Sequence, residues 1–180
     1  KFLQDCIDSI IRETHSSYEI IVVDNDSPDK SGELFSKKFP EIKFILNKNN
    51  VGVPEGLNIG IRNASGDFVV LLNNDLIVMP NWLENFFKAY DKTGDALYQP
   101  KSLKFKDPSI LDGTGCMINI FGFGFARDKG LKDEGKYAEQ EEISYASGTC
   151  MFAPKKIFDE SGYFDPTFFA YHEELDLGWR

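Results

Sequence analysis

Strand-sized β-branched runs alternate with helix patterns along residues 1–100, and this alternation limits the possible folds more than any other feature. Strands are predicted over 18–24, 43–46, 67–72 and 96–99. Helices are predicted over 2–12, from Ser27-Pro28, over 54–64 and from Pro80, because apolar residues recur there at helical spacing. A βαβαβ order of this kind predicts a parallel sheet with helices on both faces.

The composition is that of a globular domain with an acidic balance. Apolar residues make up 42% of the 180, and 29 acidic against 20 basic side chains give a net charge of −9. A nucleic-acid-binding protein usually shows a basic patch or stripe, so the sequence argues against a nucleic-acid partner. No apolar run approaches the ~20 residues of a membrane-spanning helix.

The three cysteines lie far apart along the chain, at Cys6, Cys116 and Cys150. This spacing excludes a zinc knuckle and a disulfide-dense scaffold. An odd number of cysteines indicates a reducing compartment, where such residues mostly pack as small apolar side chains. We therefore expect all three to be buried and without a catalytic partner.

Polar side chains that directly follow strands are the first candidate site residues, because parallel α/β sheets bind ligands at the carboxyl ends of their strands. Asp24 can accept hydrogen bonds from a nucleobase or ribose, whereas Ser27 is assigned to capping the next helix. Asn73, Asn74 and Asp75 offer oxygen ligands that Mg²⁺ or Mn²⁺ could share with substrate phosphates. Spacing alone favours an ordinary turn for this triplet.

Three carboxylates cluster near the end of the chain. On a helix, Glu173 and Asp176 share a face, while Glu174 points about 100° away from Glu173. Crowded carboxylates raise one another's pKa, which suits a general base. The alternative is the acidic first turn of an ordinary helix, which the helix dipole favours.

The order and spacing of these segments resemble the family 2 inverting glycosyltransferases, and within them the rhamnosyltransferase-like branch. The likeness covers nearly the whole chain, from Phe2 to Arg180. It is carried by residues 19–27, Asn50-Val51-Gly52 with Gly56, Asn58 and Gly60, residues 64–75, Pro80-Asn81-Trp82-Leu83, and residues 148–152, 162–165 and 168–180. The glycines at every fourth position indicate close packing of a helix on the sheet or near a ligand.

The resemblance implies an α/β GT-A fold, a Rossmann-like mixed sheet flanked by helices. It also implies inverting transfer of a sugar from a nucleoside diphosphate sugar to a hydroxyl of a glycan or lipid-linked acceptor. Carried over residue by residue, the implied roles are nucleotide-sugar binding for Asp24, Asp26, Asn50, Asn73 and Asn74, a Mn²⁺ or Mg²⁺ ligand for Asp75, the general base for Glu174, and support of the acceptor site for Glu173 and Asp176.

The same resemblance sets expectations for the organisation of the chain. Residues 1–180 are expected to form one catalytic domain, with a nucleotide-sugar part at 1–100 and an acceptor part at 101–180, shortened at both ends relative to the family. We expect a cytoplasmic location, at or near the inner face of the membrane through peripheral association of the full-length protein. The alternatives are a non-catalytic sugar-nucleotide or glycan-binding module, and a nucleotidyltransferase.

Overall fold

The computed structural model describes residues 2–135, 137 and 139–180. No helix within these ranges is long and apolar enough to cross a bilayer. In chain order the elements are α1 (Phe2–Glu13), β1 (Ile21–Asp24), α2 (Ser31–Lys38), β2 (Lys43–Leu46), α3 (Val53–Asn63), β3 (Phe68–Leu72), α4 (Trp82–Thr93), β4 (Ser102–Lys104), β5 (Asp107–Gly113), β6 (Cys116–Ile118), β7 (Gly124–Ala126), β8 (Cys150–Pro154), α5 (Lys155–Ser161), a 3₁₀ turn (Pro166–Phe168) and α6 (Glu173–Trp179).

The central strands form a parallel pair and an antiparallel pair. β1 lies parallel to β2, with Ile21 opposite Lys43. β3 lies antiparallel to β8, with Leu72 opposite Cys150, so the purely parallel sheet predicted from the βαβαβ order is wrong and the arrangement is mixed. The strand predicted over 96–99 contributes one bridge, from Tyr98 to β8.

β8 is buried along its whole length because helices cover both faces of the β3–β8 pair. On one face, the Phe152 ring stacks on Phe86 of α4 with centroids 5.0 Å apart. On the other face, Met151 packs in a cluster with Phe158 of α5 and Leu177 of α6. The three cysteines are buried and unpaired, as predicted.

The helix predicted from Ser27-Pro28 begins later, at Ser31, with Lys30 at its N-cap. The predicted capping role of Ser27 is therefore wrong. The Ser27 amide and hydroxyl donate to Asp24 Oδ1 instead, which closes a turn directly after β1. Likewise, the helix predicted from Pro80 begins at Trp82.

A long antiparallel ribbon, residues 107–133, lies in the acceptor-side half of the chain and is bridged to Tyr145 through Cys116. β5 and β6 form one arm, and β7 with residues 127–133 forms the other. Hydrogen bonds join the two arms along the ribbon. At one end the Asp133 amide donates to the Ser109 carbonyl, and at the other end β6 pairs with β7. The loop Asn119–Phe123 closes the far end of the ribbon, opposite the β4–β5 turn at Phe105.

Candidate functional site

The loops that follow β1 and β2 meet the start of α3 through a chain of amide side chains. Asn47 Nδ2 donates to Asn25 Oδ1 at 2.7 Å, and Asn25 Nδ2 donates to the Gly52 carbonyl at 2.8 Å. Asn50 Oδ1 accepts from the Gly52 amide at 2.9 Å. Gly52 has a φ of 83°, and a Cβ there would lie 2.7 Å from the Phe169 carbonyl oxygen, so glycine is required. These contacts fix the carboxyl edge of the β1–β2 pair.

Asp24 and Asp26 occupy this same edge in different settings. Asp24 is half-buried, and its carboxylate lies against the first turn of α2, where a Cβ on Gly32 would overlap Oδ2. Its Oδ1 accepts from the Ser27 amide at 3.2 Å. Asp26 is exposed, with a left-handed φ of 62°. Asp24 is therefore held in place by protein contacts, whereas Asp26 faces solvent.

The triplet Asn73, Asn74 and Asp75 follows β3 and is exposed. The Asn73 amide donates to the Thr149 carbonyl at 3.0 Å, and the Cys6 thiol lies 3.8 Å from the Asn73 carbonyl oxygen. Among the described residues, no three His, Cys, Asp or Glu side chains are grouped so that they could hold a metal ion. The triplet fits a cation site with one protein carboxylate, in which substrate phosphates and water supply the other oxygens.

Glu174 lies in the first turn of α6 and is half-buried. The Gly148 amide donates to its Oε1 at 3.2 Å, and a Cβ on Gly148 would lie 3.2 Å from that oxygen. The next residue, Thr149, accepts from the Asn73 amide. Two adjacent residues, Gly148 and Thr149, therefore connect the end of β3 to the Glu174 carboxylate.

The other two acidic residues of α6 have different surroundings. Glu173 is 4% exposed, and its Oε2 is buried without a hydrogen-bond partner in the described part of the chain. Burial raises the pKa of Glu173, and the nearby charge of Glu174 adds a smaller effect. Asp176 forms an ion pair at 2.7 Å with Arg180, which also donates to the Tyr163 carbonyl. Burial therefore raises the pKa of Glu173 more than the crowding of carboxylates that the spacing predicts.

Tyr145 and Gln99 were not among the predicted site residues. Burial, followed by the proximity of Cys116 and Glu174, raises the pKa of Tyr145 to about 12, so its hydroxyl stays protonated beside the Glu174 carboxylate. Gln99 Oε1 accepts from the Ser147 amide at 2.8 Å and steadies the segment that leads to Gly148. Gln99 ends the strand predicted over 96–99, but only the tertiary fold brings Gln99 to Ser147 and Tyr145 near Glu174.

Sequence comparison places this arrangement in a family. The model of glycosyl transferase family 2 matches residues 1–162. The chain belongs to this family. It is 31% identical over 101 residues to the glycosyltransferase GlyG of Streptococcus pneumoniae, covering 54% of the chain and 34% of GlyG. It is 26% identical over 168 residues to the low-salt glycan biosynthesis hexosyltransferase Agl10 of Haloferax volcanii, covering 90% of the chain and 52% of Agl10. The chain thus spans about half or less of these curated relatives.

Structural comparison shows the GT-A fold of glycosyltransferases. GalNAc-T7, solved with UDP, GalNAc and Mn²⁺, superposes with a TM-score of 0.72 at 16% identity, covering 99% of this chain and 37% of its own. The mannosyltransferase PcManGT from Pyrobaculum calidifontis, solved with GDP-Man and Mn²⁺, gives a TM-score of 0.61 at 15% identity, with 92% and 44% covered. The mixed sheet flanked by helices agrees with the fold expected from the sequence.

Proposed function

We propose that this chain transfers a hexose or rhamnose-like sugar from a nucleoside diphosphate sugar to a hydroxyl of a glycan or lipid-linked acceptor, with inversion. The observation that carries the proposal is the connection between Asn73 and Glu174 through Thr149 and Gly148. Through these two contacts, the triplet predicted to bind the metal lies near the residue predicted to be the base. Membership of glycosyl transferase family 2 and the hexosyltransferase relative support the reaction class.

The donor would bind along residues 1–100, at the carboxyl edge of β1, β2 and β3. Asp24, Asp26 and Asn50 would contact the nucleoside, and Asn73 and Asn74 the ribose and donor sugar. Asn50 lies in a loop that the asparagine network holds firmly, so little ordering is needed when the nucleotide binds.

A divalent cation fits the exposed carboxylate of Asp75, together with the diphosphate oxygens. Mn²⁺ in the two solved neighbours supports this assignment. When bound, Mn²⁺ or Mg²⁺ would offset the negative charge that builds on the leaving diphosphate. The protein contributes one carboxylate and positions it by tying Asn73 to Thr149.

Glu174 would act as the general base on the acceptor side, within residues 101–180. The Gly148 amide holds Oε1, so Oε2 is the oxygen that would take the proton from the attacking hydroxyl. Attack on the face of the sugar opposite the leaving diphosphate gives inversion. Glu173 would support the site from the buried side of α6, and Asp176 would fix the helix through Arg180. The unpaired cysteines support a cytoplasmic location.

A thermal-shift screen with UDP, dTDP and GDP, each with and without Mn²⁺, tests donor binding. A ligand that binds only the folded chain raises its melting temperature. We expect a Mn²⁺-dependent rise for one nucleotide, lost in Asp75→Asn and kept in Asp91→Asn, a charge-matched control exposed on α4. An equal rise in Asp75→Asn would contradict the metal assignment, and no rise with any nucleotide would contradict the donor site.

A further inference from the structure

The loop that carries the triplet, residues 73–81 between β3 and α4, packs against helix α1. We call it the triplet loop. Cys6 and Ile10 of α1 share a buried cluster with Val78 of this loop. The side chains of the triplet itself are exposed. The triplet loop therefore has one part buried against α1 and another part that presents the candidate metal ligand to solvent.

Cys6 hydrogen-bonds to the backbone of the triplet loop on both sides of Asp75. Its thiol donates to the Asn73 carbonyl oxygen at 3.8 Å, and the Leu76 backbone hydrogen-bonds to the same sulfur. The Cys6 side chain is 4% exposed, so water does not compete for these contacts. One side chain of α1 thus restrains the backbone that flanks the Asp75 carboxylate.

Ser9, one turn further along α1, restrains the triplet loop at a second point. The residue is 1% exposed. Its Oγ accepts from the Val78 amide at 3.1 Å and donates to the Cys6 carbonyl at 2.8 Å. Ser9→Ala would change the packing of α1 little, but it would leave the buried Val78 amide without this partner, which is unfavourable. The hydroxyl of Ser9 therefore serves the loop more than it serves the helix.

We propose that Cys6 and Ser9 are positioning residues for the cation site. They hold the backbone of the triplet loop so that the Asp75 carboxylate is in place before a nucleoside diphosphate and its cation bind. A site whose groups are already ordered binds more tightly than one that must order them on binding. The inference rests on the proposed cation site at Asp75, and it assigns to α1 a role in metal binding that none of the predicted site residues covers.

Isothermal titration calorimetry with UDP, dTDP and GDP, each with and without Mn²⁺, tests this role. For a nucleotide that binds, the Kd without Mn²⁺ divided by the Kd with Mn²⁺ measures how strongly the cation and the nucleotide favour each other's binding. We call this quotient the Mn²⁺ ratio. Ser9→Ala should lower the Mn²⁺ ratio about tenfold, because loss of a group that orients a metal ligand typically lowers metal affinity by about 10–100-fold. The Kd without Mn²⁺ should stay close to the wild-type value.

Thr14→Val is the matched control. Thr14 Oγ1 accepts from Trp82 Nε1 at 3.0 Å, so this variant also loses one hydroxyl acceptor, but the donor belongs to α4 and not to the triplet loop. Circular dichroism melts should show that Thr14→Val loses stability as Ser9→Ala does, while its Mn²⁺ ratio equals that of wild type. Cys6→Ala, which frees the Asn73 carbonyl, should lower the Mn²⁺ ratio as well, and it provides the test if Ser9→Ala does not fold.

An unchanged Mn²⁺ ratio in either α1 variant that folds, or an equal fall in Thr14→Val, would overturn the positioning role alone. So would an equal weakening of nucleotide binding with and without Mn²⁺, because α1 would then support the whole donor site and not the cation. A wild type that binds a nucleotide equally well with and without Mn²⁺ would instead contradict the proposed cation site, and this inference with it.

Discussion

Asn58 joins the donor-side helix α3 to the segment that leads into the acceptor-side helix α6, and its removal gives the sharpest stability prediction. The side chain is 1% exposed. Its Nδ2 donates to the Phe164 carbonyl at 2.8 Å, and its Oδ1 accepts from the Phe164 amide at 3.0 Å. Phe164 is itself buried in the cluster that contains Leu177 of α6. Asn58→Ala therefore leaves both backbone groups of Phe164 buried without these partners.

The loss can be worked out from these two hydrogen bonds. A buried polar group without a partner costs roughly 1–3 kcal/mol, so two such groups cost about 2–6 kcal/mol of unfolding free energy. For a chain of this size each kcal/mol lowers the melting temperature by roughly 2–4 °C, so a loss near 4 kcal/mol corresponds to about 8–16 °C. The exposed Asn63, whose Nδ2 donates to the Ile59 carbonyl on the same helix, provides the control. Asn63→Ala should change stability by less than about 0.5 kcal/mol.

Asn58→Asp tests the direction in which stability changes with pH. The introduced carboxylate can accept from the Phe164 amide, but it faces the Phe164 carbonyl, so its pKa is raised in the folded state. The folded state then binds the proton more tightly than the unfolded state, and stability falls as the pH rises through the usual Asp range near about 4. Circular dichroism melts between pH 4 and 7 should show a gap from wild type that widens with pH. A constant gap, or Asn58→Ala melting within 2 °C of Asn63→Ala (about 0.5–1 kcal/mol), would refute the reasoning.

Three further predictions follow from close contacts and burial. Gly148→Ala should displace the Glu174 carboxylate and lower kcat about 10–100-fold, whereas Gly113→Ala, whose Cβ would have ordinary contacts, should not; equal kcat values would contradict the contact. Because burial raises the pKa of Glu173, the wild type should lose stability as the pH rises above the usual pKa of Glu. In urea titrations at pH 7, Glu173→Gln should therefore be more stable than the wild type, and a less stable variant would contradict this role of burial. Burial raises the pKa of Cys150 to about 12, so an aromatic disulfide reagent at pH 8 should label this thiol only when the chain unfolds. Rapid labelling of Cys150 in the folded chain would contradict its burial.

Elements defined by local patterns could be predicted from the sequence. Residues 2–12 carry apolar side chains at helical spacing and form α1, and β2 has the predicted bounds Lys43–Leu46. The pairing of β3 with β8 could not be predicted, because it joins residues about 80 positions apart and periodicity contains no information on partners. The start of α2 was misjudged because Asp24 competes for the Ser27 hydroxyl, which removes it from a capping role.

The chemical types at the site were predictable, but their individual environments were not. Helical spacing predicts that Glu173 and Glu174 point in directions about 100° apart. It does not predict that Glu173 is buried or that Glu174 accepts a hydrogen bond from Gly148. That difference depends on how α6 packs against the segment before β8, where Gly148 lies 26 residues before Glu174. The roles predicted for Asp24, Asp26 and Asp75 stay predictions, since their contacts alone identify no ligand.

The most direct test of the proposed transfer is nucleoside diphosphate release from a nucleotide sugar with Mn²⁺ and a panel of glycan and lipid-linked acceptors, whose hydroxyl takes the sugar, compared between wild type and Glu174→Gln. The sugar should carry the base identified by the thermal-shift screen. If Glu174 is the general base, wild type turns over, while Glu174→Gln keeps the thermal shift and loses about 10²–10⁴-fold in rate. Equal release by both, or donor binding by wild type without any release, would contradict the assignment of this chain as a glycosyltransferase that uses Glu174.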